Sequence, residues 1–125
     1  MSLAEKKEWT YIEKKVTESE DWRLKSFDIK IPTEIDKDGF KGQEEVRDKI
    51  PTYADCLYEG MVDVIQKGDD EKDALIEGVK SIKIAFGSDP FKLENNCLLV
   101  HLDSSTENPG RMKSSINDWL MNNLG

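Results

Sequence analysis

The fold of this chain is decided by residues 52–68, whose sequence is TYADCLYEGMVDVIQKG. The apolar side chains of this stretch recur at the spacing of one face of an α-helix, and they are Leu57, Met61, Val64 and Ile65. Thr52 is placed to cap the first turn, with Asp55 closing a capping box. Lys67 and Gly68 are typical of a helix C-terminus. The stretch therefore predicts one amphipathic helix.

A second helix is predicted immediately after Gly68, and the two helices together form an αα-hairpin. Asp69 or Asp70 can cap its N-terminus, because an aspartate side chain accepts a hydrogen bond from the free backbone N–H groups there. Glu71 and Asp73 fall in its first turn, where the helix dipole favours negative charge.

The far end of this second helix is ambiguous. Apolar side chains recur at helical spacing from Leu75 to Phe86, but from Ile82 onward they also occupy every second position, as in a strand. We predict a helix that runs to Phe86. The alternative is a shorter helix that stops at Gly78, followed by a strand within residues 79–86.

The N-terminal segment carries a similar ambiguity. Residues 3–18 predict a helix in which Trp9, Ile12 and Val16 share one face. The residues from Trp9 to Ile12 are also β-favouring, which leaves a strand as the alternative.

Residues 22–31 predict a strand with one solvent-exposed face. Ile29 and Ile31 alternate with charged residues such as Lys30, which is the period of a strand. Pro32 is expected to end this strand, because proline has no N–H group to donate to a sheet.

The C-terminal segment predicts a strand and then a helix. Residues 96–102 contain a continuous apolar run that is typical of a buried strand. Asn108 is placed as the N-cap of a terminal helix, with Pro109 at its first position.

These elements predict an α+β fold. We expect a helix-rich single domain over residues 1–125, with a central αα-hairpin, a C-terminal helix and a small sheet of two or three strands. Because two strands alone make a marginal sheet, a third strand is expected near residues 9–16 or 80–86.

The net charge of −8 is concentrated in one part of the chain. Residues 34–78 hold 14 acids and 6 bases, a net of −8, whereas residues 1–33 (7 and 7) and 79–125 (5 and 5) are balanced. Such a concentration of negative charge repels nucleic acid and anionic lipid and attracts basic surfaces. We therefore predict no direct contact with nucleic acid or membrane.

Targeting and cysteine signals point to the cytoplasm. The chain has no apolar run of about 20 residues that could span a membrane, and no secretory signal is evident. Cys56 and Cys97 show no metal-ligand spacing, so we expect reduced thiols and no cofactor. The sequence leaves the oligomeric state open.

The first helix of the hairpin carries the main functional signal. Its residues Asp55, Glu59 and Asp63 form an acidic stripe, and like charges four residues apart cost a few tenths of a kcal/mol per pair. No lysine on the same stripe offsets this cost. We predict a non-enzymatic protein–protein interaction module of the immunity, inhibitor or adaptor type. These three residues, together with Asp73 and Glu77, would face a basic partner protein.

An alternative function is a small hydrolase or transferase centred on His101. Asp103 and Ser104 follow it closely. A base, a carboxylate and a hydroxyl are the groups that nucleophilic catalysis uses. However, no nucleophile-elbow motif is present, and a structural histidine next to a turn also explains the segment.

A second alternative is a calcium-dependent binding module. Acids at Glu34, Asp36, Asp38 and Glu45 partly overlay a calcium loop, with Gly39 at its sixth position. The preceding segment is not an entering helix, so a solvated turn is the competing interpretation.

Overall fold

Five helices and one four-stranded sheet make up residues 1–124, which is the part of the chain that the computed structural model describes. The helices are α1 (Leu3–Leu24), α2 (Glu44–Asp48), α3 (Ile50–Ile65), α4 (Asp69–Gly78) and α5 (Pro109–Asn123). The strands are β1 (Thr33–Ile35), β2 (Ser81–Phe86), β3 (Phe91–Glu94) and β4 (Cys97–Leu102). One hydrophobic core joins them. The predicted domain also includes Gly125, which lies outside the described residues.

The fold class is α+β, as predicted, but the sheet has four strands instead of two or three. Its order is β1-β2-β4-β3, with β3 antiparallel to β4 and the other neighbours parallel. Neither β1 nor β3 lies within a predicted strand. Strand β3 is joined to β4 by Asn95 and Asn96, which both have positive φ (52° and 63°). A two-residue turn with two positive φ angles favours asparagine, and this dipeptide is the sequence signal for the hairpin.

The predicted helix through Phe86 is wrong, and the alternative strand is correct. Helix α4 ends at Gly78, and β2 begins at Ser81. The strand lies between β1 and β4, so Ile82 and Ile84 are fully buried. The strand is more stable than a helix here because both of its edges pair with strands from distant parts of the chain.

The predicted strand over residues 22–31 is also wrong. Helix α1 continues from the predicted residues 3–18 through Leu24, and the only strand in this region, β1, begins after Pro32. Ile31 is buried as the alternation required, but its N–H donates to the carboxylate of Glu20 (2.8 Å) instead of to a sheet. A side chain of α1 therefore replaces the expected strand pairing.

The hairpin helices α3 and α4 form, but their predicted caps do not. Helix α3 starts at Ile50, so Thr52 lies inside it and closes no capping box. Helix α4 is preceded by Gly68, and no side chain caps its N-terminus. The terminal helix begins as predicted, since the side chain of Asn108 accepts a hydrogen bond from the backbone N–H of Arg111 (3.0 Å).

Helix α3 is the centre of the helical layer. It packs against α1, α4 and α5, and Thr52 is its only exposed residue. Gly60 allows the close approach of α5, because a Cβ atom there would collide with Ile116 and lie 2.8 Å from the carbonyl oxygen of Lys113. No helix in the described part of the chain is both long and apolar enough to cross a membrane.

Candidate interaction surfaces

The acidic stripe of α3 (Asp55, Glu59 and Asp63) is paired with cations from two other helices. Arg23 of α1 donates two hydrogen bonds to the carboxylate of Asp55 (3.1 and 2.9 Å) and lies 3.5 Å from Glu59. Lys113 of α5 donates to Glu59 (2.8 Å) and lies 3.5 Å from Asp63. The α3 acidic stripe is therefore part of a network that connects three helices.

The charges of this network balance almost completely. Three carboxylates meet two cations, which leaves a net charge of −1. The hydrogen bond to Asp55 raises the pKa of Arg23, and the hydrogen bond to Glu59, together with the charge of Asp63, raises the pKa of Lys113. Both cations are held in their charged form. The positive charges that α3 lacks come from Arg23 on α1 and Lys113 on α5.

Cys56 lies beside this network. Burial, together with the negative charges of Asp55 and Glu59, raises the pKa of its thiol above the ordinary value. A raised pKa keeps the thiol protonated at neutral pH, and a protonated thiol is a poor nucleophile. Cys56 and Cys97 are both free thiols.

The acids of α4 are arranged differently. Asp70, Asp73 and Glu77 are exposed and follow one another at intervals of three and four residues, which places them on one side of the helix. We call these residues the α4 acidic stripe. None of the three forms an ion pair within residues 1–124. The whole helix holds five acids and one lysine.

An apolar groove lies next to the α4 acidic stripe, between α4 and the C-terminal parts of α3 and α5. Its volume is about 240 Å³. The apolar residues that line it are Val64, Ala74, Leu120, Met121 and Leu124. Asp70 and Glu71 form its polar rim, and Met121 is 43% exposed. This surface combines an open apolar floor with unpaired negative charge.

The predicted catalytic group around His101 is not assembled. The Nδ1 atom of His101 contacts the backbone oxygen of Asp89 (2.8 Å). The carboxylate of Asp103 accepts hydrogen bonds from the N–H and hydroxyl of Ser105, which lower its pKa. In the described residues no hydrogen bond joins His101 to Asp103 or Ser104. Asp103 instead stabilises the turn that leads to α5.

The predicted calcium ligands do not converge. Glu34 lies in β1, Asp38 begins a single turn of 3₁₀ helix, and Glu45 lies in α2. Nowhere in residues 1–124 do three acidic, histidine or cysteine side chains come together as a metal site would require. The segment is a strand end followed by a solvated turn.

Exposed aromatic side chains on α1 are a feature that the sequence did not identify. Tyr11 is 59% exposed and Trp22 is 70% exposed, whereas Trp9 on the same helix is buried. The helical period of α1 contains this information, because Trp9 shares the apolar face of Ile12 and Val16 while Tyr11 and Trp22 do not.

Compared with protein-family models, with curated proteins and with solved structures, the chain matches none of them. Function is therefore inferred from the geometry of these surfaces alone.

Proposed function

We propose that this protein is a non-enzymatic interaction module that binds a basic partner protein through helix α4. Of the five residues expected to face the partner, Asp73 and Glu77 carry this function together with Asp70, whereas Asp55, Glu59 and Asp63 hold the helices together. The proposal rests on the finding that none of the three carboxylates of the α4 acidic stripe forms an ion pair in residues 1–124.

The two acidic stripes differ in what a partner would have to displace. A lysine that approached the α3 acidic stripe would compete with Arg23 and Lys113, which are already bonded to its carboxylates. A lysine that approached α4 would replace only water. Exposed unpaired charge also steers a basic protein during diffusional encounter, so it accelerates association.

The apolar groove supplies the second part of the recognition. Most of the affinity of a protein interface comes from a few well-packed apolar or aromatic anchors, and charged residues at the rim add specificity. The groove offers room for a large apolar side chain directly beside Asp70. The partner segment that fits this surface is an amphipathic helix with an apolar anchor and lysine or arginine residues along one flank.

The setting that we propose is the cytoplasm. Cys56 and Cys97 are free thiols on α3 and β4, and unpaired thiols are typical of a reducing compartment. The excess of negative charge also disfavours nucleic acid as the partner.

The experiment is an NMR titration of the labelled protein with an amphipathic peptide of about 15 lysine and leucine residues, roughly four helical turns. We expect chemical-shift changes on α4 and the C-terminal half of α5. The double variant D73N/E77Q should bind about fivefold more weakly, because it removes two exposed charge contacts of about 0.5 kcal/mol each. Its binding should also depend less on salt.

The matched control is E44Q/E45Q, which removes the same charge from exposed positions on α2. This variant should bind the peptide as the parent does. Equal weakening in both variants would mean that only net charge matters, and shifts distributed over the whole surface would contradict a site on α4.

A further inference from the structure

Helix α1 carries a line of four side chains on its solvent side. The four residues are Tyr11, Lys15, Glu18 and Trp22, and their spacing of four, three and four is that of a coiled-coil seam. We call them the α1 seam. Its centre is rotated by roughly 150° from the centre of the buried face. The buried face consists of Trp9, Ile12, Val16, Glu20 and Leu24. The seam therefore makes no contribution to the core.

The composition of the seam is unusual for a helix face exposed to water. Tyr11 and Trp22 are more than half exposed, and tyrosine and tryptophan are among the residues enriched at the centres of protein interfaces. Lys15 lies 5.6 Å from the ring centre of Tyr11 and 3.5 Å from the carboxylate of Glu18. The guanidinium of Arg23 lies 4.0 Å above the ring of Trp22, which holds that ring in place.

The seam is complementary to itself. When two copies of α1 cross antiparallel about a two-fold axis between residues 16 and 17, position 11 faces position 22 and position 15 faces position 18. Tyr11 then meets Trp22 of the second copy, and Lys15 meets Glu18 of the second copy. Both contacts occur twice, as a two-fold interface requires. We propose that the α1 seam is the interface of a homodimer.

The surface beside the seam has space for these contacts. A cleft of about 430 Å³ lies next to Trp22 and is bordered by Pro51 and Thr52. A second cleft, of about 380 Å³, lies next to Tyr11 and is bordered by Pro51 and Asp48. In the antiparallel arrangement, Trp22 of the second copy lies opposite Tyr11, and Tyr11 of the second copy lies opposite Trp22. Each copy therefore has a recess next to the position where the ring of the other copy arrives.

The size of the seam sets the strength of the dimer. The seam covers the twelve residues from Tyr11 to Trp22, which are about 16 Å apart along the helix axis, and an interface of this length lies at the small, transient end of the range for protein contacts. The dimer is weak and reversible, and the central Lys15–Glu18 pairs fix its register and orientation. This interface is independent of the proposed binding of a basic partner by α4.

The test is sedimentation equilibrium of the full chain over a wide range of concentration. We expect a reversible monomer–dimer equilibrium that Trp22→Ala weakens by about tenfold or more. Lys15→Glu and Glu18→Lys should each weaken it by about fivefold, because each change creates two like-charge contacts. Lys6→Glu makes the same charge change off the seam on an exposed position and should leave the equilibrium unchanged.

Mixing the variants tests the two-fold geometry itself. In a mixture of Lys15→Glu with Glu18→Lys, both charge contacts of the mixed dimer are again attractive, so the mixture should recover dimer that neither variant forms alone. Circular dichroism should show unchanged folding in every variant. A protein that stays monomeric at all concentrations, or a mixture that gains nothing, would overturn the proposal. D73N/E77Q should not affect dimerisation, so failure of this interface and failure of the α4 site can be told apart.

Discussion

The α3 and α4 acidic stripes have the same chemistry and consecutive positions in the chain, yet they differ in what surrounds them. The carboxylates of α3 are between 32% and 41% exposed and bonded to Arg23 and Lys113, whereas those of α4 are exposed and unpaired in residues 1–124. The charge pattern of one helix therefore does not define a binding surface. What matters is whether the neighbouring helices bring cations to it.

The largest effect is expected where the α3 network is assembled. Gly60→Ala places a methyl group against Ile116 and the backbone of Lys113, so α5 must move away from α3. We expect a loss of about 1–3 kcal/mol in the free energy of unfolding, measured by urea denaturation. Gly110→Ala is the control, because its Cβ would meet only the side chain of Asn108, at 3.4 Å, in the exposed first turn of α5. A stable Gly60→Ala variant would show that the helix contact is looser than described.

A smaller effect is expected when the network loses one cation. Arg23→Gln leaves Asp55 and Glu59 without their partner on α1, and we expect a loss of about 1 kcal/mol of stability. The figure is modest because both carboxylates are about one third exposed (35% and 32%), so water screens them. Asp73→Asn on α4 should change stability by less than about 0.5 kcal/mol. Urea denaturation of the Arg23→Gln and Asp73→Asn variants measures both losses of stability. Equal losses would contradict the difference between the two stripes.

The smallest effect is a change of stability with pH at the α5 side of the network. The pKa of Lys113 is raised in the folded state by Glu59 and Asp63, so its contribution to stability is fully present below the ordinary lysine pKa of about 10.4 and is lost as pH rises through the folded value. The parent should therefore be more stable than Lys113→Met at pH 7, and this difference should shrink above about pH 10. A difference that stays constant with pH would indicate that Lys113 acts through packing alone.

The parts of the fold that the sequence predicted correctly depend on local signals, although the local caps predicted at Thr52 and at Asp69 or Asp70 do not form. The N-cap Asn108, the apolar run of β4 and the helical period of α3 each act within a few residues, and each was interpreted correctly. The two wrong assignments of secondary structure, the helix through Phe86 and the strand over residues 22–31, involve partners outside the segment itself. Ile82 lies in a strand because β1 and β4 flank it, and Ile31 bonds to Glu20, eleven residues away, instead of to a strand.

The candidate surfaces follow the same rule. The acids of α3 and α4 could be placed on their helices from the sequence, but the partners of the α3 acidic stripe could not. Arg23 reaches Asp55 across 32 residues of chain, and Lys113 reaches Glu59 across 54 residues. No periodicity within one helix reports such contacts, so the sequence alone could not separate a paired stripe from a free one.

A single binding assay on both stripes shows whether the unpaired charge of α4 or the paired charge of α3 binds a basic partner. The lysine–leucine peptide is titrated into the parent, into D73N/E77Q on α4 and into D55N/E59Q on α3, and the dissociation constants are measured at two salt concentrations. We predict that the α4 variant loses about fivefold in affinity. The α3 variant should bind like the parent at low salt while unfolding at a lower urea concentration. A loss of affinity in the α3 variant alone would place the binding site on α3 and not on α4.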